Sequence, residues 1–230
     1  MQFRSDVKVS LIDFMGGDGR LTQTARVSTQ GGDAVEDSEA KGLINYLISS
    51  RHGSPVEHSV YTFYVEAPIF VFREFQRHRI ASYNETSGRY RKLEPEFWVP
   101  SESRPLVNVG GSARPEFEAG TEEQYRDLCA NMRASYAVAW DVYEQAIDSG
   151  VANEVARSVL PVGTYSQMFV TMNARSLMNF LSLRVDSNDS EVRSRPQAEI
   201  QAVAEQMESI FSETMPLTYA AFVAGGRRPV

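Results

Sequence analysis

Apolar residues recur along the chain with two rhythms, one of period two and one of helical period, and together these assign most elements. Val7-Lys8-Val9-Ser10-Leu11-Ile12 alternates apolar and polar positions and gives way to Met15-Gly16-Gly17-Asp18-Gly19, the pattern of a strand closed by a turn. Ser38 is placed to cap a helix in which Leu43, Tyr46 and Leu47 repeat at helical spacing, and His52-Gly53-Ser54-Pro55 stops it. Tyr61, Phe63 and Val65 alternate with Thr62, Tyr64 and Glu66 in a strand ending at Pro68, with a short helix over 69–76. Four prolines and a Gly-Gly pair make 93–119 the most loop-like stretch. Thr121-Glu122-Glu123-Gln124 is a capping-box signature that opens a long helix, in which Tyr125, Leu128, Cys129, Met132, Tyr136, Tyr143 and Ile147 keep helical period up to Gly150. A further strand over 165–172 places Met168, Val170 and Met172 on one face and leads into a helix from Asn173 to about Val185. A final helix after Pro196 repeats Ile200, Val203, Ala204, Met207, Ile210 and Phe211 and stops at Pro216. This irregular interleaving, with no G-x-G-x-x-G turn, predicts an α+β fold: a single domain over 1–230 with a central mixed or antiparallel sheet flanked by long helices, not a Rossmann fold.

Composition narrows the class. A chain of 230 residues that is 42% hydrophobic can bury roughly 70–75% of its unfolded surface, which excludes disorder and a disulfide scaffold. The single cysteine, Cys129, forms no intrachain disulfide, and its place on the apolar stripe of the long helix reads as a small buried hydrophobe and not a nucleophile. The N-terminal residues hold no apolar run suited to a signal peptide, and nothing approaches the ~20 apolar residues of a membrane span, so the expected location is the cytoplasm with no membrane partner. A net charge of -7 argues against a general nucleic-acid binder.

Against that acidic background, arginine is concentrated. The 23 basic residues comprise 20 Arg and 3 Lys, and Arg73, Arg77, Arg79, Arg89 and Arg91 fall in one 19-residue segment. Within it, Ser87-Gly88-Arg89 suits a phosphate: glycine lets the backbone approach, a hydroxyl and N–H groups donate, and guanidinium binds two oxygens at once. The competing reading is a solvated loop whose arginines pair with some of the 30 acidic residues. In the helix from Asn173, Ala174, Leu177, Met178, Leu181 and Val185 form the apolar stripe, and Arg175, Asn179 and Leu183 line up on the opposite side. A guanidinium, an amide and an aliphatic side chain in one line suit a planar heteroaromatic ligand. His52, Glu57 and His58 superficially suggest a zinc hydrolase, but their spacing is wrong for two ligands on one helix face and Pro55 lies inside it, so no metal site is expected.

Arg77-His78-Arg79-x-x-Ser82-x-Asn84-x-x-Ser87-x-Arg89-Tyr90 matches without a gap the signature RHRxxSxNxxSxRY of the flavin-dependent thymidylate synthases. The blocks His52 to His58, Ala156 to Pro161 and Asn173 to Ser187 also resemble that family in the same order, so the similarity runs from about residue 5 to residue 215. The resemblance implies a homotetrameric α+β enzyme with sites at subunit interfaces that uses FAD, methylenetetrahydrofolate and NADPH to convert dUMP into dTMP. By that analogy, Glu74, Arg77, Glu85, Thr86, Ser87, Gly88, Arg89 and Arg157 contact the nucleotide, and Arg184 contacts its uracil and stabilises charge as the ring is activated. Ser54, Glu57, Arg77, His78, Arg79, Ile80, Asn173, Arg175, Asn179 and Leu183 hold FAD, which carries the hydride step. His52 sits near the flavin where substrates enter. Ser87 has no evident base beside it and reads as a ligand contact.

Two positions depart from the family pattern. Glu74 stands where glutamine is frequent, and its carboxylate repels phosphate unless it pairs with Arg73 or Arg77 or accepts a hydrogen bond from the ligand. Asn188 stands where histidine often follows the Arg-x-Asp-Ser run; it can hydrogen-bond but not titrate. The rival to an enzyme is a non-catalytic nucleotide- or RNA-binding module built on residues 73–91.

Overall fold

Helices and strands alternate irregularly in the structure, a computed structural model that describes residues 1–31, 37–112 and 114–230. In chain order the elements are β1 (Gln2–Arg4), β2 (Lys8–Met15), α1 (Asp18–Gln30), α2 (Asp37–Ser49), β3 (Val60–Pro68), α3 (Ile69–Phe75), β4 (Ser82–Glu85), β5 (Glu96–Trp98), β6 (Val107–Asn108), β7 (Phe117–Glu118), α4 (Glu122–Asp148), α5 (Asn153–Ala156), β8 (Tyr165–Asn173), α6 (Ala174–Arg184), α7 (Ala198–Thr214) and α8 (Pro216–Ala224). Single turns of 3₁₀ helix cover Ser54–His58 and Arg157–Val159. The fold is α+β, and the larger sheet has the strand order β2-β3-β8-β4. None of the described helices is long and apolar enough to cross a membrane.

The chain forms two compact units. One comprises Met1–Val7, Glu66–Arg73 and Glu85–Gln167. Its core is aromatic: Phe97, Tyr136, Trp140 and Tyr143 are buried with Val99 and Ala156, and Phe97 stacks on Tyr136 at 4.9 Å. Helix α4 supplies three of these residues from one stripe. Its predicted capping box is present, with the Gln124 N–H donating to Thr121 Oγ1 at 3.1 Å and the Thr121 N–H to Gln124 Oε1 at 2.8 Å. Such a cap contributes roughly 0.5–2 kcal/mol to the helix. Cys129 is buried on the same stripe, as expected.

The other unit comprises Lys8–Val65, Glu74–Asn84 and Met168–Val230. Strand β3 turns Tyr61, Phe63 and Val65 inward, and β8 turns Met168, Val170 and Met172 inward, so both strand patterns hold. The inner stripes of α6 (Leu177, Met178, Leu181) and α7 (Ile200, Val203, Met207, Phe211) are buried, also as the spacing predicts. After β2 the chain turns at Gly16, where an added Cβ would lie 2.5 Å from Ser59 Oγ; that hydroxyl accepts the Gly17 N–H at 3.0 Å.

Several expectations change. The expected N-terminal strand is β2, but a short strand β1 precedes it, and helix α1, which the periodicity did not indicate, follows the turn at once. In α2 the buried residues are Ala40, Ile44, Leu47 and Ile48, whereas Tyr46 is exposed. The side chain of Ser38, expected as this helix's cap, lies outside the described residues. Short strand β4 was not expected, and the 93–119 stretch contains β5, β6 and β7. Helix α7 ends at Thr214, just before Pro216 as expected, but it is not the last: Pro216 opens the first turn of a further helix, α8.

Candidate active site

Most of the expected cofactor residues gather in the unit that carries α6. Helix α3 ends at Phe75, whose ring stacks on Phe180 of α6 at 4.9 Å, a contact worth about 0.5–1.5 kcal/mol beyond area burial. Phe180 in turn meets the His78 ring edge-on at 4.9 Å. The Tyr83 hydroxyl donates to the backbone carbonyls of Phe75 and His78, and burial pushes its pKa up to about 12, so it remains a donor. These contacts bring the turn after α3 to the C-terminal end of α6. There the Arg184 Nε–H donates to His78 Nε2 at 3.0 Å, Nη1 pairs with Glu74 Oε2 at 2.6 Å, and Nη2 donates to the Glu74 carbonyl at 3.3 Å. Glu74 therefore has Arg184 as its partner and neither Arg73 nor Arg77. Burial first, and the Arg184 charge second, push the His78 pKa down to about 4. A neutral imidazole that accepts at Nε2 carries its proton on Nδ1.

The solvent-facing stripe of α6 lines two adjoining clefts. One, of about 400 Å³, is lined by Glu57, Ile80, Asn173, Arg175, Ser176, Asn179, Pro229 and Val230. The second, of about 320 Å³, is lined by Arg77, His78, Arg79, Ile80, Ser176, Asn179, Leu183 and Arg184. Arg175 is held at the mouth of the first: its Nη1 pairs with Glu57 Oε1 at 2.5 Å and its Nε–H donates to the Val230 main-chain oxygen at 2.6 Å. Gly53 makes this seat possible, because a Cβ there would lie 2.7 Å from Arg175 Nε. Asn173 caps α6 by accepting the Ser176 N–H on Oδ1 at 2.8 Å, which leaves its amide nitrogen for a ligand. Ile80 is 75% exposed and Leu183 51% exposed, so each offers an apolar surface among hydrogen-bonding groups. Guanidinium groups, amides and two aliphatic covers around adjoining clefts fit a flavin dinucleotide, with its two phosphates and flat ring.

Ser54 and His52 stand apart from these linings. Ser54 is exposed at the start of the 3₁₀ turn. His52 is exposed and meets Tyr46 edge-on at 5.9 Å. Its position is set by a Schellman ending of α2: the His52 N–H reaches the Leu47 carbonyl, the Arg51 N–H reaches that of Ile48, and Arg51 takes φ 58°. Asn188 is exposed and lines neither cleft. Among the described residues no cluster of three metal-ligating side chains occurs, and His52, Glu57 and His58 form no such group.

The other unit holds Glu85, Thr86, Ser87, Gly88, Arg89 and Arg157 of the expected nucleotide contacts, whereas Glu74, Arg77 and Arg184 belong to the unit that carries α6. Thr86 is tied to Gln167 by its N–H (2.8 Å) and hydroxyl (3.1 Å). The next residues turn sharply, with the Tyr90 N–H on the Ser87 carbonyl at 3.2 Å and the Arg89 N–H 3.3 Å from Ser87 Oγ. Gly88 is buried, and a Cβ on it would press on Arg157 Cδ at 3.2 Å. Loss of hydration raises the Glu85 pKa, opposed by a Ser166 hydrogen bond and by the Arg73 and Arg157 charges. Arg89 pairs with Glu154 at 3.0 Å, a partner that no local pattern in the sequence signals. The side chains of Arg157 and, in the other unit, of Arg77 and Arg79 form no ion pair or hydrogen bond among the described residues, although the Arg157 charge acts on Glu85; within 73–91 the solvated-pair reading holds for Arg89 and for Arg91, which pairs with Glu94 at 3.5 Å, and fails for Arg77 and Arg79.

Residues 10–217 match the family model described as "Thymidylate synthase complementing protein". The chain is 51% identical to a flavin-dependent thymidylate synthase of Streptomyces avermitilis, covering 98% of this chain and 94% of that one. It is 49% identical to the flavin-dependent thymidylate synthase of Streptomyces coelicolor, over 99% and 95%. A solved structure of the UMP/dUMP methylase PolB from Streptomyces cacaoi, bound with 5-Br dUMP, superposes with a TM-score of 0.95 at 43% identity over 100% of both chains. The arginine motif, the two-sided helix α6 and these likenesses over nearly the full length agree, and the chain belongs to the family of flavin-dependent thymidylate synthases, which are enzymes.

Proposed function

We propose that this enzyme converts dUMP into dTMP by reductive methylation, taking its one-carbon unit from methylenetetrahydrofolate and its electrons from NADPH. The observation that carries this reading is the set of three guanidinium groups, Arg77, Arg79 and Arg157, that form no ion pair among the described residues of a chain of net charge -7. Each lies where the family signature or its neighbouring blocks place a ligand contact. PolB's bound 5-Br dUMP and 5-Br UMP support a uridine nucleotide as the substrate.

In this reading Arg157, Arg89 and the backbone around Ser87-Gly88 hold the nucleotide phosphate, with Glu85 and Thr86 against its sugar. Each charge-assisted contact contributes about 1.5–3 kcal/mol. Arg184 stabilises negative charge on the uracil carbonyl through the N–H donors that remain on Nη1 and Nη2. Glu74 and His78 hold its plane, and neutral His78 does so without adding a charge that repels Arg184. Arg77, His78, Arg79, Ile80, Asn173, Arg175, Asn179 and Leu183 would hold FAD, with Ser54 and Glu57 beside them. When bound, the flavin supplies the hydride-carrying chemistry. His52 guards the entry for the co-substrates. A homotetramer built from this single-domain chain would assemble the anion group and the flavin cleft from more than one copy, and the cytoplasm is where these co-substrates meet.

The test is dTMP formation by purified protein supplied with FAD, dUMP, methylenetetrahydrofolate and NADPH without oxygen, with UMP run in parallel. A bound-flavin spectrum and dTMP are expected. Protein that binds no flavin and makes neither methylated nucleotide would sink the reading and favour a nucleotide-binding module.

A further inference from the structure

The segment after α8 runs along the first cleft. Pro229 and Val230 line it, and the Val230 main-chain oxygen is the second partner, with Glu57, of Arg175. This segment is pinned from behind. The Arg227 side chain is only 3% exposed; its Nη1 pairs with Glu208 of α7 at 2.6 Å, and its guanidinium lies 5.3 Å from the Phe222 ring centre. Glu208 also accepts from the Tyr219 hydroxyl at 3.0 Å, so one carboxylate joins α7, α8 and the segment beyond.

The backbone is fixed as well. Gly226 takes φ +72° and its carbonyl accepts the Glu191 N–H at 3.0 Å; an added Cβ would lie 3.1 Å from Glu191 Cβ in a conformation that disfavours side chains. Arg227 itself takes φ 55°, a region costly for a residue with a Cβ and retained only where surrounding contacts over-determine it. Arg228 pairs with Glu191. A buried ion pair and two left-handed residues in succession are an expensive way to end a helix, and here they aim the next two residues at Arg175.

We propose that Arg227 is a positioning residue for the cofactor cleft, and that it acts by holding Pro229 and Val230 as the cleft's wall and as the second anchor of Arg175. The proposal rests on the reading of this cleft as a flavin site. With both anchors present, the Arg175 guanidinium is held before the cofactor arrives; with the Val230 oxygen gone, it is free to swing onto Glu57 alone, and one side of the cleft opens to solvent. Such preorganisation shows as affinity and slow release.

The experiment measures FAD affinity and release by flavin fluorescence in three proteins: the wild type, a form lacking residues 229–230, and Arg227→Met, with Arg227→Lys as the conservative variant. Expected are about tenfold weaker affinity and correspondingly faster release for the shortened form, a similar loss for Arg227→Met, and partial recovery for Arg227→Lys, with dUMP affinity unchanged in calorimetry. Should Arg227→Met fail to fold, the shortened form decides alone, because Pro229 and Val230 are not core residues. FAD affinity and release within twofold of wild type in the shortened form would overturn the proposal, as would tighter binding, which would make the segment a plug. A wild type that binds no FAD would instead refute the flavin reading of the cleft.

Discussion

Arg184 donates its Nε–H to His78 Nε2 across 3.0 Å, so one of the family's motif histidines serves as an acceptor and is required to be neutral. The unfolded chain takes up a proton on this histidine near pH 6.5, whereas the folded protein resists it down to about 4. Between those values the unfolded state binds more protons. The contribution of His78 to stability is therefore complete above pH 6.5 and is lost as pH falls from 6.5 toward 4. Nitrogen NMR at pH 7 should find the proton on Nδ1, and His78→Gln, which keeps an acceptor, should flatten the stability slope in that window. A His78 that titrates near 6.5 in the folded protein would contradict this.

Arg184→Ala should abolish turnover while the protein stays folded, since Arg184 ends helix α6 and lies outside its buried apolar stripe. Its removal also leaves Glu74 without its cation, so Arg184→Ala/Glu74→Gln should be the more stable of the two variants in a melt. Residual dTMP formation above about 10% of wild type in Arg184→Ala would deny the residue its catalytic role.

At the phosphate group, Arg157→Ala should raise the KM for dUMP about 10–100-fold, the equivalent of one charge-assisted contact. Glu154→Gln should act in the opposite direction by freeing Arg89 from an exposed pair worth about 0.2–1 kcal/mol, lowering KM by about two- to fivefold at most. Deoxyuridine binding, which involves no phosphate, should respond to neither substitution.

Gly53→Ala should displace Arg175, because the new methyl would lie 2.7 Å from Nε. The obstructed atoms are the far end of a flexible side chain, so the fold should survive and FAD affinity should fall about tenfold. Unchanged affinity, measured by fluorescence titration, would show that the Arg175 seat does not matter.

Cys129→Ala should cost about 1 kcal/mol of stability in chemical denaturation and leave dTMP formation within twofold of wild type. A folded but inactive variant would mean that this thiol takes part in the chemistry after all.

The amino-acid sequence reveals the elements whose pattern is local. The Thr121–Gln124 capping box, the buried stripes of α4, α6 and α7, and the alternation in β3 and β8 all depend on neighbours within a few residues, where the helical and strand periods apply directly. It also named most of the candidate site, because Arg77 to Tyr90 and Asn173 to Arg184 are contiguous signatures. Other features depend on partners far along the chain and emerge only when the elements pack. Helix α8 forms because the Leu217 and Thr218 N–H groups are accepted by Asp18, about 200 positions earlier, and because Pro216 in the first turn gives up an N–H that no helix bond needs. Helix α1 leaves no period in the sequence because, among its described residues, it buries only Leu21 and Thr22 fully, too sparse a stripe. The partner of Glu74 proved to be Arg184 and not the adjacent arginines, and Val230 came to rest on Arg175. Periodicity states which way a side chain faces along its own element; which charge it meets there is set by packing between elements, and for Glu74, Arg89 and Arg175 that packing chose the partner.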